Sequence, residues 1–246
     1  MPWPALRFLD ATRPTVAENL AIDEALLVAA EDRAGPALLR IWELDNLAVV
    51  LGASGRLAED VRLDACRADG VAIARRSSGG GTVVIGPGAL NFAVVLPIDA
   101  TPELRHVDDA QRYVLGRTAA AIRAQGPPVE VLGSGDLTLG RRKFSGSAQR
   151  RLRRHVLVHA TLLYDFPLDR IGRYTRMPSR RPEYRQDRPH DEFLTNLPMG
   201  REPLREALKA AWLLPGSDPD PAPIPEDLLR SLVETKFSDD GWIRRL

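Results

Sequence analysis

Val71-Ala72-Ile73-Ala74-Arg75-Arg76-Ser77-Ser78-Gly79-Gly80-Gly81 passes without a break from an apolar stretch into two arginines and a glycine triplet. Val71–Ile73 reads as the opening of a strand, and the glycines as the loop it delivers. Without a Cβ, consecutive glycines let backbone approach a ligand closely and reach positive φ. Guanidinium groups of Arg75 and Arg76 beside exposed backbone N–H groups suit phosphate or carboxylate oxygens. The alternative is a tight surface turn flanked by solvated arginines. The spacing is neither that of a G-x-x-x-x-G-K-[ST] loop nor that of a G-x-G-x-x-G turn.

Upstream of this junction, Leu6–Leu9 reads as extended, and Leu20, Ala21, Glu24, Leu27 and Val28 recur at helical spacing within Thr15–Ala30 behind a Thr15 cap. Ala37–Trp42 and Ala48–Leu51 read as two strands that pair across a polar turn, and Val61–Ala68 has helical character. Downstream, Leu90–Leu96 reads as a buried strand and Asp108–Gln125 as a helix ended by Gly126-Pro127-Pro128. Val129–Leu132, Lys143–Arg150 and His155–Leu163 complete a central sheet, with a hairpin at Leu139–Arg142. Pro167–Pro198, crowded with Arg and Pro, reads as a flexible flap or a partner-facing loop. Glu202–Leu213 and Glu226–Phe237 read as helices joined by a Pro/Asp-rich linker at Pro215–Pro225.

A second chemical feature is Gly133-Ser134-Gly135-Asp136-Leu137, followed by Arg142-Lys143-Phe144-Ser145-Gly146-Ser147-Ala148-Gln149. A lysine on a strand of small residues reaches a phosphate or carboxylate unobstructed, and Asp136 offers an oxygen ligand to Mg²⁺. The alternative is a hairpin with a solvated lysine and a turn-capping aspartate.

The 246 residues suffice for one sizeable core, and 44% hydrophobic with 27% charged residues is a globular composition. A net charge of +1 argues against a general nucleic-acid binder, although arginines crowd the stretch from Arg141 to Arg188. A single cysteine excludes an internal disulfide framework and fits a reducing cytoplasm, and no Cys/His cluster has metal-ligand spacing. The N-terminus has no secretory pattern, and no apolar run approaches the roughly 20 residues of a membrane span.

Arg75–Val83, Gly88-Ala89-Leu90-Asn91, Lys143–Gln149 and His159-Ala160-Thr161-Leu162-Leu163, in this order, resemble the lipoate-protein ligase A family and its biotin ligase relatives. Asn19–Glu24 and Leu39-Arg40-Ile41-Trp42 also look like family positions, so the resemblance extends through about Leu197. It implies an α/β fold of the α+β type, a mixed central sheet flanked by helices, in one catalytic domain over residues 1–246. Residues 199–246 would be a helical extension, with no full accessory domain.

The resemblance further implies that ATP and Mg²⁺ activate lipoate or octanoate as acyl-AMP, which then passes to a lysine of a lipoyl-type acceptor protein. Lys143 would contact both acyl carboxylate and α-phosphate. Arg76 and Gly79, Gly80 and Gly81 would face the ligand, Asn91 and Asp136 would hold phosphate or Mg²⁺, and His159 would line the pocket. Arg75, Ser78, Ser145, Gly146 and Ala148 complete the expected binding set. Octanoyltransferases of the same superfamily use a cysteine instead; Cys66, in a helix at Asp64–Arg67, does not match that position and reads as a structural thiol. Gly52-Ala53-Ser54-Gly55 departs from relatives that carry glutamine after the glycine, and with only about fifty residues after Leu197 either activation is self-sufficient or a separate accessory subunit is needed. Arg173, Arg176, Arg180, Arg181, Arg185 and Arg188 form either a docking face for an acidic acceptor or a solvated surface, with Tyr184 and His190 as gatekeepers or merely packed.

Overall fold

The computed structural model describes residues 6–178, 181–214 and 220–245. Two elements open the chain, strand β1 (Arg7–Asp10) and helix α1 (Val16–Arg33). Strands β2 (Leu38–Trp42) and β3 (Ala48–Leu51) follow, then short helices α2 (Leu57–Asp60) and α3 (Leu63–Ala68), then β4 (Ala72–Arg75), β5 (Val83–Ile85) and β6 (Ala89–Pro97). Helix α4 (Val107–Arg123) leads to β7 (Val129–Leu132), β8 (Asp136–Leu139), β9 (Arg142–Arg151) and β10 (His155–Leu163). The remaining helices are α5 (Asp169–Tyr174), α6 (His190–Phe193), α7 (Arg201–Trp212), α8 (Glu226–Leu232), which continues into a π-helical turn at Val233–Phe237, and α9 (Asp240–Arg244).

Seven strands form one sheet in the order β1-β2-β6-β10-β9-β8-β7, and three form a second in the order β4-β3-β5. Each sheet has one parallel pair, β1 with β2 and β3 with β4, among antiparallel neighbours. The expected mixed sheet flanked by helices is therefore present. The expected pairing of β2 with β3 is not: β2 lies between β1 and β6, and β3 between β4 and β5. The physical reason is burial. Every residue of both strands is buried, so each needs a partner on both edges, and a two-stranded hairpin would leave one edge of each unpaired.

One face of the large sheet packs through Phe92, Val94, Val158 and Leu162 against α4 and α7, so α7 is built into the core layer. The other face packs through Ala93, Val95 and Leu157 against α1 and α8. A third cluster under the small sheet gathers Val49, Leu51, Cys66, Val84 and Tyr174. Helix α1 starts with the expected Thr15 cap, closed into a capping box by Glu18, an arrangement that contributes about 1 kcal/mol. Nearly its whole circumference is buried, including Asn19, Asp23 and Glu24.

The Arg/Pro-rich segment is more ordered than its sequence suggests. It carries α5, a 3₁₀ turn at Glu183–Arg185 and α6, while Arg180 lies outside the described residues. So do residues 215–219 of the expected linker. Its arginines are engaged: Arg173 pairs with Asp69, and Arg185 and Arg188 stack on Phe193 at 4.5 and 5.3 Å. Arg173 and the Tyr174 hydroxyl hold the Asp69 carboxyl down at about 2, against an ordinary 3.8. A depressed carboxylate stabilises above its unfolded pKa, so this clasp between α3 and α5 is intact above pH 4 and is lost as pH falls toward 2. In Arg173→Ala the Asp69 titration, followed by carboxyl-carbon NMR, moves back up toward the ordinary value. Among the described residues, no helix is long and apolar enough to cross a membrane.

Candidate active site

Residues paired directly across antiparallel strands point to the same face, so the register places the site. His159 pairs with Ala148, Thr161 with both Gly146 and Asn91, and Gly146 with Asp136. One face of β6, β10, β9 and β8 thus presents Asn91, His159, Thr161, Gly146, Ala148 and Asp136. Lys143 lies three residues before Gly146 and would project to the opposite face of a regular strand. A register shift opposite Leu137 and Thr138 inserts Phe144 as an extra residue, and Lys143 returns to the site face. Its ammonium lies over Gly146, where a Cβ would sit 2.8 Å from Nζ. A Cβ there would push the ammonium off its present position.

Lys143 Nζ pairs with Asp136 Oδ1 at 2.6 Å, and the Tyr184 hydroxyl donates to Asp136 Oδ2 at 2.7 Å. Burial, with Asp136 alongside, holds the Tyr184 hydroxyl well above the ordinary phenol range, so it remains a donor at all physiological pH. Tyr184 packs on Phe193 with ring centroids 5.4 Å apart. The chain after α6 runs parallel to Lys143, and Thr195 N donates to its carbonyl at 2.9 Å. Burial and the nearby Arg185 depress His190, which is therefore neutral at pH 7.

The glycine loop crosses this face from the small sheet. A Cβ on Gly80, whose φ is +85°, would lie 3.6 Å from the Ala148 methyl. The loop is held from beneath by Arg76, which donates to Gly79 O at 2.6 Å, Gly81 O at 2.8 Å and Ser78 Oγ at 3.1 Å. Burial lowers the Arg76 guanidinium to about 10, so it stays charged at neutral pH. Arg75 turns the other way. It donates to Gly52 O and Gly55 O at 3.0 and 2.7 Å and to Ile243 O at 2.8 Å, while Trp242 Nε1 donates to its carbonyl at 2.9 Å.

Both guanidiniums are buried, and a buried guanidinium takes protein acceptors for its donors. Arg76 shapes the loop and Arg75 ties it to α9. Ser145 pairs with Leu162 on the core face, and its hydroxyl is buried there without a partner among the described residues. Asn91 lies on the site face but is 4% exposed, with Thr161 Oγ1 donating to its Oδ1 at 2.7 Å.

The model of the lipoyl protein ligase A/B catalytic domain matches residues 15–212. The chain belongs to this family. A protein of Aeropyrum pernix assigned as a lipoate-protein ligase A is 29% identical over 235 residues, which cover 91% of this chain and 86% of its own. An octanoyltransferase of Symbiobacterium thermophilum, LipM, is 27% identical over 274 residues, covering 97% and 98%. A lipoate-protein ligase A crystallised with ATP shares the fold, with a TM-score of 0.80 at 23% identity, over 99% of this chain and 100% of that one.

Within this ligase A/B catalytic domain, sequence reasoning gave no role to Asn19, Asp23, Arg40 and Gln111. Gln111 on α4 donates to Ser147 Oγ at 2.7 Å, and Ser147 Oγ donates to Gly135 O at 2.9 Å, fixing the turn before Asp136. Arg40 is fully buried and donates to Asp23 Oδ1 at 2.5 Å and Asn19 Oδ1 at 2.7 Å. The legible signal was Asn19 and Asp23 at i and i+4 on the apolar stripe of α1, where a polar pair requires a buried partner. Cys66 is 1% exposed, and burial raises its thiol further above neutrality.

Proposed function

We propose that this chain is an ATP-dependent lipoate-protein ligase, which activates lipoate or octanoate as acyl-AMP and transfers the acyl group to a lysine of a lipoyl-type acceptor domain. The observation that carries this reading is Lys143, brought by the bulge onto the face beneath the glycine loop and, among the described residues, paired through its ammonium with Asp136. An ammonium paired with a single carboxylate is readily handed to a more negative ligand. A carboxylate oxygen attacks the α-phosphorus, the bond to the leaving pyrophosphate breaks, and Lys143 stabilises the charge that accumulates. The ATP complex of the crystallised relative is in keeping with this.

Among the described residues no cluster of three metal-ligating side chains exists, and Asp136 is the carboxylate beside Lys143. One carboxylate fits Mg²⁺, which takes its other oxygens from phosphate and water. Asp136 would hold the ion once Lys143 moves to substrate, and the ion would neutralise charge on the departing pyrophosphate. In the second half-reaction the acceptor amine attacks the acyl carbon of the mixed anhydride, and AMP leaves. No enzyme nucleophile is needed.

The test is incubation with ATP, Mg²⁺ and lipoate, following pyrophosphate release and the mass of an added apo lipoyl domain. Pyrophosphate release with a lipoyl mass gain supports the ligase; release without mass gain points to the separate accessory subunit. The match to an octanoyltransferase over almost the whole chain favours a second reading, ATP-independent transfer from octanoyl-acyl carrier protein. That chemistry in its cysteine form needs an accessible thiolate, and Cys66 is a buried neutral thiol. Cys66→Ala is therefore expected to retain acyl transfer within about twofold, its cost confined to packing. Loss of activity in a variant that still folds would favour the transferase.

A further inference from the structure

One buried array crosses the site beside Lys143 and Asp136. Ser78 Oγ lies 2.6 Å from His159 Nε2, and His159 Nδ1 lies 3.7 Å from Asp23 Oδ2. Asp23 is 3% exposed; its Oδ1 is taken by Arg40, while Oδ2 has no hydrogen-bond partner. The relay uses the tautomer with its hydrogen on Nδ1, because the group facing that nitrogen, 3.7 Å away, is a carboxylate, which only accepts. Nε2 is then the acceptor of the Ser78 hydroxyl proton. Arg76 Nε donates to the same hydroxyl oxygen at 3.1 Å, which orients that proton toward His159. Asp23 Oδ2 is thus an acceptor oxygen left unsatisfied beside the imidazole.

We infer that Ser78, His159 and Asp23 form a proton relay that accepts the proton of the acceptor lysine during acyl transfer. The inference rests on the ligase reading and deepens it. An acceptor lysine is an ammonium at neutral pH and cannot attack until it loses a proton. One ammonium N–H bond breaks as its proton passes to Ser78 Oγ and the Ser78 proton passes to His159 Nε2; the freed lone pair then attacks the acyl carbon, the bond to AMP breaks with its electrons leaving on the AMP phosphate, and that phosphate takes the second nitrogen proton as the amide forms. Imidazolium then faces Asp23, whose Oδ2 gains a charged partner. No oxidant or further reactant is required. Ser78 is carried by the glycine loop, so the relay is delivered to the same face as Lys143. Asp23 acts through His159 and is a positioning residue.

The experiment measures the half-reactions separately in the full chain. Adenylation is read as pyrophosphate release from ATP and lipoate. Transfer is read from supplied lipoyl-AMP to an apo lipoyl domain. In His159→Ala, transfer kcat is expected to fall at least about 30-fold, within the usual range for loss of a general base, and at least about tenfold more than adenylation falls, while the acceptor KM changes by under about threefold. Added imidazole restores transfer. Ser78→Ala gives the same split without rescue, and Asp23→Asn, which leaves Arg40 unpaired, is read only alongside its melting temperature. Equal losses in both half-reactions would show that His159 merely holds the loop and would overturn the relay; so would absence of imidazole rescue, or a wild-type chain that does not transfer from lipoyl-AMP. A wild-type chain that transfers from lipoyl-AMP but releases no pyrophosphate would refute self-sufficient activation and leave the relay standing.

Discussion

Lys143→Ala is expected to lower lipoate-dependent pyrophosphate release and acceptor lipoylation together by about 100- to 1,000-fold, the range found when one preorganised donor to a developing oxyanion is removed. The effect is catalytic. The Lys143–Asp136 pair is partly open to solvent at both ends, so its loss costs stability about 1 kcal/mol or less. Asp136 keeps Tyr184 as a donor. Lys143→Arg discriminates charge from shape. Retaining the positive charge does not rescue, because a planar guanidinium cannot fold over Gly146 in the space that the ammonium occupies. Unchanged pyrophosphate release in a folded Lys143→Ala protein would remove the residue from the mechanism. Release that persists while lipoylation is lost would confine its role to transfer.

Much of this site was legible because small residues and charges are local signals. Gly79–Gly81 after an apolar strand, and Lys143 beside Gly146 and Ala148, announce close backbone approach and a reaching cation without any tertiary information. What stayed hidden depends on contacts between distant segments. The direction of Arg75 is set by α9, some 167 residues away in sequence, and that of Arg76 by the carbonyls of the loop it precedes. The face on which Lys143 emerges is set by a bulge, and a bulge is one unmarked residue in a strand pattern. Strands β5 and β8, of three and four residues, were too short to carry a period of their own. The pairing of β2 and β3 was misread for a related reason: sequence adjacency suggested a hairpin, whereas complete burial of both strands placed each inside a different sheet. The Arg-rich segment lacked periodicity because its order comes from stacking on Phe193 and pairing with Asp69, not from an amphipathic helix.

Gly52→Ala carries the second large expected effect, and it acts through the loop without touching a ligand. Gly52 follows β3, where the backbone passes directly beneath the glycine triplet. A Cβ there would lie 2.0 Å from Gly80 O, 3.0 Å from Gly80 C and 3.2 Å from Gly79 O. All three are backbone atoms, so no side chain can rotate away, and the loop must rise by about 1 Å to restore van der Waals contact. Arg76 cannot follow freely, being buried and bonded to Gly79 O, Gly81 O and Val50 O on β3. The loop therefore loses either its arginine or its seat on Ala148. Overpacking of this kind costs about 1–3 kcal/mol of stability. A misplacement of about 1 Å at a positioning element costs about 100-fold in rate. Gly116→Ala is the control: nothing lies within 4 Å of its Cβ in the middle of α4, and replacing glycine in a helix interior stabilises by about 1 kcal/mol. Thermal melts of the two variants should move in opposite directions. Adenylation should fall in Gly52→Ala alone, and a Gly52→Ala protein with wild-type adenylation would mean that the loop's height above β9 does not govern the chemistry.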